Sequence, residues 1–315
     1  MPTITERIEG GLLGLLIGDA LGVPYEFHQP QELPPLDEIE FTPPAGFQRS
    51  HAPVPPGTWS DDGAQALALL ASLLERDGLD LQDFGERLVT WYRQGYMAVG
   101  GVVFDVGIQT QRAIRAMIAG TPAAKAGPQD EYANGNGSLM RALPLALWHR
   151  GSDQELVNDA HRQSLPTHGH LRAQVCCALY CLWARRLLQE VSDPWPDAVK
   201  TLRAIYDHDS PESEELESHV RPDDPPGGGG SGYVVDCLHS GRRAVQAGNY
   251  EQVVKAAVAM GHDTDTTACV AGGIAGIRDG AAAIPSRWQQ QLRGQEIVEP
   301  LLQQLLRRHM STWLK

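Results

Sequence analysis

Two short aspartate runs carry the clearest chemistry in this sequence: Thr58-Trp59-Ser60-Asp61-Asp62 and Gly261-His262-Asp263-Thr264-Asp265-Thr266-Thr267. Each opens a stretch with helical periodicity, and Ser60 is a natural N-cap for the first. A carboxylate in a first helical turn has an ordinary use, complementing the helix dipole and its free N–H groups. Either run alone needs no more than that. Together, Asp61, Asp62, Asp263 and Asp265, with the hydroxyls of Ser60 and Thr266, form an all-oxygen donor set. Such a set suits a hard cation, Mg²⁺, Mn²⁺ or Ca²⁺, rather than zinc. Four carboxylates brought together without a cation repel, and some must take up protons. Their charge balances two divalent ions, so the expectation is a binuclear site with metals about 3.5–4 Å apart. A third acidic run, Gly18-Asp19-Ala20-Leu21-Gly22-Val23-Pro24-Tyr25-Glu26, lies where a helix gives way to a loop.

A second kind of chemistry is written in Asn134-Gly135-Asn136-Gly137-Ser138-Leu139-Met140-Arg141. Two Asn-Gly pairs before a helix permit left-handed backbone and aim successive N–H groups at one point, an anion cradle. Asn-Gly is also the commonest of tight turns; beside a metal site, a phosphate-binding loop over Asn134–Ser138 is the reading of interest. Arg141 suits either a phosphate or a buried carboxylate. Cys176, Cys177 and Cys181, close behind His168 and His170, invite a zinc reading, but their spacing is not a usual ligand spacing. Lying among Ala, Leu and Val, they read as buried thiols. His239, His309 and most of the tryptophans read as packing or surface residues.

The elements that must position these groups are helical. The 3.6-residue period marks segments at 5–22, 61–77, 81–94, 105–119, 139–149, 153–163, 168–190, 195–207, 233–248, 250–260, 265–279 and 295–309. Runs of β-branched residues are nearly absent, and no repeat of a solenoid's period emerges. The expectation is an all-α protein, a single multi-helix domain over residues 1–315. Two long irregular stretches interrupt it: the proline-rich 24–58, and 210–232, which is acidic and ends in the four glycines Gly227 to Gly230. Loops of that length are usually functional. Gly10, Gly14, Gly18 and Gly22 recur every fourth residue, as do Gly272, Gly276 and Gly280. A helical glycine costs about 1 kcal/mol against alanine, so these stripes imply close backbone approach between two central helices that also carry the acidic runs.

Composition narrows the partners. The 315 residues hold 39 acidic and 26 basic side chains, a formal net charge of -13. That balance argues against general nucleic-acid binding. No apolar run reaches the roughly 18 residues that cross a bilayer, the longest being Ala173 to Ala184, interrupted by Gln174. The apolar start, Gly10 to Ile17, is preceded by Glu6, Arg7 and Glu9 and lacks a cleavage pattern, so it reads as a folded helix. Five cysteines make no disulfide framework. A cytoplasmic location without membrane contact is expected.

In order along the chain, these residues resemble the ADP-ribosylglycohydrolase family. The resemblance runs through Gly18-Asp19-Ala20-Leu21-Gly22 with Glu26, Ser60-Asp61-Asp62, Asp105 with Gly107 and Thr110, and Asn136-Gly137-Ser138-Leu139-Met140-Arg141. It continues through Thr167-His168 and Gly232-Tyr233-Val234 to Asp263-Thr264-Asp265-Thr266. The resemblance implies an all-helical domain of that type with two Mg²⁺ or Mn²⁺ ions in a central cleft, held by Ser60, Asp61, Asp62, Asp263, Asp265 and Thr266. It places the pyrophosphate at the glycine–asparagine loop, formed by Asn134, Gly135, Asn136, Gly137 and Ser138, and His168 and Tyr233 near the ADP-ribose. Glu26 and Asp105 match acidic positions close to the scissile bond and, with Asp62, make up the catalytic carboxylates. Gly63 stands where the family usually has Thr, removing a side-chain bond expected to hold the helix start, and Ser60 replaces the commoner Thr.

The reaction implied is hydrolysis of the bond joining ADP-ribose to an acceptor side chain, with arginine the expected acceptor, through an oxocarbenium-like state that nearby carboxylates stabilise. The substrate would be an ADP-ribosylated protein or a small ADP-ribosylated compound. Two other readings belong to different classes. One is a catalytically weak ADP-ribose-binding protein, or one that neutralises a toxin through a protein contact made by its long loops. The other is a metal-dependent phosphohydrolase that would release AMP instead of intact ADP-ribose.

Overall fold

The computed structural model describes residues 1–310, and among them it is helical, with no strand. In chain order the helices are α1 (Ile4–Gly22), α2 (Asp61–Arg76), α3 (Leu81–Gln94), α4 (Ile108–Ile118), α5 (Leu143–Trp148), α6 (Asp153–Ser164) and α7 (Leu171–Leu188). They continue with α8 (Pro194–Ile205), α9 (Pro211–Glu214), α10 (Val234–Ala244), α11 (Tyr250–Val258), α12 (Thr264–Asp279), α13 (Ser286–Gln291) and α14 (Gln295–Met310). Several starts are set locally. Thr3, Ser60, Asp80, Ser152 and Asn249 each accept a backbone N–H from the first turn of the helix that follows, which satisfies an otherwise orphaned donor.

At the centre lie α1 and α12, antiparallel and in the most extensive contact of any helix pair. The glycine stripes are the cause. A Cβ on Gly14 would stand 2.5 Å from the Gly272 carbonyl oxygen, and one on Gly18 would overlap the Ala268 carbonyl. Gly10 faces Gly276 in the same way, and Gly22 faces the Asp265 backbone. Gly280 is the exception: it closes the C-terminus of α12 with φ 78° and abuts Pro2. Arg7 fixes the register by donating to the Ile277 and Arg278 carbonyls at 3.1 and 3.2 Å, a cation at the negative end of α12. At the other end Thr264 Oγ1 donates to the Gly22 carbonyl at 2.8 Å. The end of α1 and the start of α12, each with its acidic run, are therefore held together. Although α1 has the length and composition of a bilayer-crossing helix, contrary to expectation, most of it is buried inside the protein.

The irregular stretches are more ordered than their composition suggests. Segment 24–58 makes three short helical turns, Val23–Tyr25, Pro30–Glu32 and Leu36–Glu38, and buries Ile39 and Phe41 in the core. Segment 210–232, read as irregular, in fact contains α9 and a wide turn, Glu215–Val220. Ser210 caps it, Pro211 occupies its first position, and Leu216 and Val220 bury an apolar pair one turn apart. The helix expected over 139–149 starts later, at Leu143, with Pro144 in its first turn, because residues 135–142 are folded into consecutive turns. All five cysteines are free and buried.

Candidate functional site

Where α1, α2, α4, α10 and α12 meet, a cleft of about 730 Å³ opens, and much of the expected site faces it. Its lining includes Glu26, Asp61, Asp62, Asp105, Asp263 and Thr266, together with Gly135, Asn136, Gly137 and His168. The acids arrive by separate routes. Asp61 and Asp62 occupy the first turn of α2, whose N-cap is Ser60 with its Oγ accepting from Asp62 N–H at 3.3 Å. Asp263 caps α12, and Asp265 and Thr266 sit in its first turn. Glu26 follows the short turn Val23–Tyr25 that extends α1, and Asp105 stands before α4 on left-handed backbone, φ 53°.

The start of α2 is anchored by Asp19, a fully buried residue. Its carboxylate accepts from Ser60 N–H at 2.8 Å and Gly63 N–H at 2.7 Å. Burial pushes its pKa up to about 7 despite those two amides. Gly63 therefore does not weaken the helix start as the departure from the family pattern suggested. Its amide is what Asp19 binds, and a Cβ there would meet Trp59 Cγ at 2.7 Å. Arg141 is buried too and makes no approach to the cleft. It donates to Gln65 Oε1 at 2.8 Å, and Gln65 Nε2 donates to Asp61 Oδ2 at 2.7 Å. Of its two readings, the geometry gives the buried-carboxylate role, acting on Asp61 through Gln65. Burial lowers the guanidinium to about 10.

Five of the carboxyls in and behind the cleft wall resist ionisation. Burial first, then neighbouring charge, raises Asp61, Asp62, Asp265 and Glu26 well above the carboxylate range. Asp105 rises to about 6 from burial and from Asp263. Asp62 Oδ2 and Asp265 Oδ2 are buried with no hydrogen-bond partner, although buried polar atoms are almost always paired. Oxygens of Glu26, Asp263 and Asp265 lie within 4.8 Å of one another. Orphaned carboxyl oxygens beside such a cluster are what a hard cation satisfies, so the residues present fit a divalent ion. Asp19, Glu26, Asp61, Asp62, Asp105 and Asp265 bind more protons folded than unfolded at pH between about 4 and their raised folded values. Metal-free protein should thus lose stability as pH rises through that window, past about 6 for Asp105 and about 7 for Asp19. Thermal melts should show Mn²⁺ raising Tm more at about pH 8 than at about pH 5.5, because at low pH protons already occupy the site. An equal gain at both would contradict this reading.

The Asn-Gly loop differs in its reason for glycine. Neither Gly135 nor Gly137 has left-handed φ. They are small because neighbours press close: a Cβ would meet Gln109 Oε1 at 2.6 Å or His168 Cε1 at 2.7 Å. Two of the loop's amides are already spent, Gly135 N–H on Gln109 Oε1 at 2.7 Å and Asn136 N–H on the Gly232 carbonyl at 3.0 Å. Asn136 Nδ2 donates to Asp263 Oδ2 at 2.8 Å, tying the loop to the acidic site. His168 bonds Thr167 Oγ1 and is neutral, its pKa lowered to about 3 by burial and by Arg141.

Several expected site residues do not line the cleft. Ser138 turns inward to Ser164 Oγ at 2.8 Å, Asn134 Nδ2 bonds the Glu131 carbonyl, and Asp265 and Ser60 lie behind the lining. Tyr233 is partly exposed, and its hydroxyl accepts from Arg172 Nη1 at 3.2 Å. Other residues contribute without having been expected. Gln109, Asp236 and His262 line the cleft, and Asp236 holds the glycine stretch by accepting from the Gly229 and Ser231 amides at 2.9 and 2.7 Å. His51, 2.6 Å from Glu26, is the largest omission. It lies in proline-rich chain without periodicity, 25 positions from Glu26, and no local sequence signal marks it.

A family model described as ADP-ribosylglycohydrolase matches residues 1–313. The chain is 29% identical over 310 residues to an ADP-ribosylarginine hydrolase, Tri1, of Serratia proteamaculans, covering 95% of this chain and 79% of that protein. It is 29% identical over 295 residues to the ADP-ribosyl-[dinitrogen reductase] glycohydrolase of Rhodospirillum rubrum, covering 92% of each. A solved structure titled an ADP-ribosylglycohydrolase-related protein complex superposes with a TM-score of 0.76 at 32% identity, covering 98% of this chain and 99% of that one.

Proposed function

The chain belongs to the ADP-ribosylglycohydrolase family and is a glycohydrolase, and on that footing we propose that it removes ADP-ribose from modified arginine side chains of proteins with two divalent cations, Mg²⁺ or Mn²⁺, in the cleft. Asp61, Asp62, Asp263 and Asp265 would hold the ions, with the hydroxyls of Ser60 and Thr266. When bound, the cations supply Lewis acidity and a fixed positive charge for the ribose hydroxyls. The observation that carries the arginine reading is the cleft wall where Glu26 and Asp105 stand beside the exposed ring of Phe27. Carboxylates and an aromatic face suit a guanidinium leaving group, and the Serratia relative's name specifies arginine.

The chain's own groups account for the rest. Water oxygen bonds to the anomeric carbon as the bond from that carbon to the acceptor nitrogen breaks. The proton lost by water goes to a carboxyl, and the departing nitrogen takes one up. Glu26 and Asp105 divide these two transfers, burial raising both carboxyls, Asp105 to about 6. Neutral His168 and the amides of the Gly137 turn face the ADP-ribose as uncharged partners. The test compares ADP-ribosyl-arginine and ADP-ribosyl-serine substrates with Mg²⁺ and with Mn²⁺. Metal-dependent release from arginine is expected; no release from any linkage, or faster release from serine, would overturn the proposal.

A further inference from the structure

We propose that His51, delivered by the proline-rich segment after α1, is a positioning residue for this reaction, its imidazole fixing the Glu26 carboxyl toward the scissile bond. The inference rests on the glycohydrolase reading and extends it to a residue outside every motif that carries the family resemblance.

The backbone holds His51 in place for this contact. Ser50 N–H donates to the Pro24 carbonyl at 2.9 Å, Ser50 Oγ donates to the Glu26 carbonyl, and Val54 N–H donates to the His51 carbonyl at 2.7 Å. His51 itself has φ 49°, left-handed backbone that a non-glycine residue adopts only when its surroundings impose it. Its ring is flanked by Phe27 and Phe104, with centroids 5.7 and 5.0 Å away. Nε2 lies 2.6 Å from Glu26 Oε2, a hydrogen bond, and 3.9 Å from Asp105 Oδ1, so the same nitrogen that binds Glu26 stands beside the second carboxyl. The 2.6 Å contact holds one proton shared between Nε2 and Oε2, so the bond persists whichever atom carries it.

Glu26 needs such a holder. It is almost fully buried, and its oxygens crowd those of Asp263 and Asp265. Among the described residues no other nitrogen donor reaches it. His51 commits Oε2 and leaves Oε1 as the atom that meets the substrate. Without that bond the side chain can change rotamer, and a reacting group displaced by about 1 Å can lose ~10²-fold in rate.

His51→Ala is expected to lower kcat about 10- to 100-fold, with KM and Mn²⁺ affinity within about 3-fold of the unaltered protein and Tm preserved. His51→Gln, whose amide nitrogen can reach the same oxygen, is expected to recover most of kcat. A kcat unchanged in His51→Ala, an equal loss in both variants, or a loss confined to KM or metal affinity would overturn the proposal. A readout independent of turnover separates its failure from that of the glycohydrolase reading. In long-range proton–nitrogen NMR of the Mg²⁺-loaded full chain, Glu26→Gln should shift the His51 Nε2 resonance. If the protein releases no ADP-ribose, a shifted signal sustains the contact while the activity reading falls. An unshifted signal overturns the positioning role whatever the activity.

Discussion

Replacing Asp61 and Asp265 together by asparagine should lower kcat for ADP-ribose release roughly a thousandfold or more, the loss of several kcal/mol of electrostatic stabilisation. It should also abolish Mn²⁺ binding by calorimetry. The fold should survive, because asparagine keeps the contacts that these side chains make within the protein. An amide oxygen in place of Asp265 Oδ1 can still accept the 2.7 Å bond from Thr266 N–H. One in place of Asp61 Oδ2 can still accept from Gln65 Nε2. What disappears is buried negative charge, including the orphaned Asp265 Oδ2. Metal-free variant should therefore melt no lower than metal-free parent, and its Tm should no longer respond to Mn²⁺. A lower melting point without metal would mean that these carboxylates support the fold instead of a cation. Retained turnover would contradict the assignment of the cations to these carboxylates, whereas a partner function that survives the loss of turnover would favour the binding or toxin-neutralising reading.

The second large effect is predicted far from any ligand. Gly18→Ala combined with Gly276→Ala should destabilise the protein by about 3 kcal/mol or more in denaturant unfolding. Each added Cβ would overlap a backbone carbonyl on the facing helix, that of Ala268 or Gly10. A flexible side chain could swing aside; a helix backbone cannot, so α1 and α12 must separate. That displacement carries Asp19 and Glu26 away from Asp263 and Asp265, and metal affinity should fall even in the protein that remains folded. Gly78→Ala is the control: its nearest contact would be the Arg76 carbonyl at 4.0 Å, and its effect should stay within about 0.5 kcal/mol. A stabilised Gly18→Ala/Gly276→Ala protein, which helix propensity alone would give, or effects no larger than that of Gly78→Ala, would show that close approach does not explain the glycine stripes.

The helices were legible because their determinants are local. Ser60 before α2, Asp80 before α3 and Ser152 before α6 each precede an apolar period, and the structure starts those helices one residue later. The glycine stripes predicted a close helix pair because their four-residue spacing puts them on one face. The acidic runs were visible as residue types at helix starts. What reached past local order was not legible. The role of Arg141 depends on Gln65, which lies 76 positions earlier and carries the interaction to Asp61. The anchoring of α2 depends on Asp19 meeting two amides across the core. The Asn-Gly loop was misread in mechanism, because its glycines answer to Gln109 and His168 and not to backbone φ. His51 depends on a loop closed by Ser50 against Pro24 and Glu26, contacts that no periodicity announces.

The most direct test is hydrolysis of ADP-ribosyl-arginine peptide in heavy-oxygen water with Mn²⁺, followed by mass spectrometry of the products. Attack by water at the anomeric carbon predicts intact ADP-ribose carrying one heavy oxygen on that carbon, and an unlabelled arginine peptide. Heavy oxygen appearing in AMP, with the pyrophosphate cleaved and the sugar still on arginine, would contradict the account and make the cleft a phosphohydrolase.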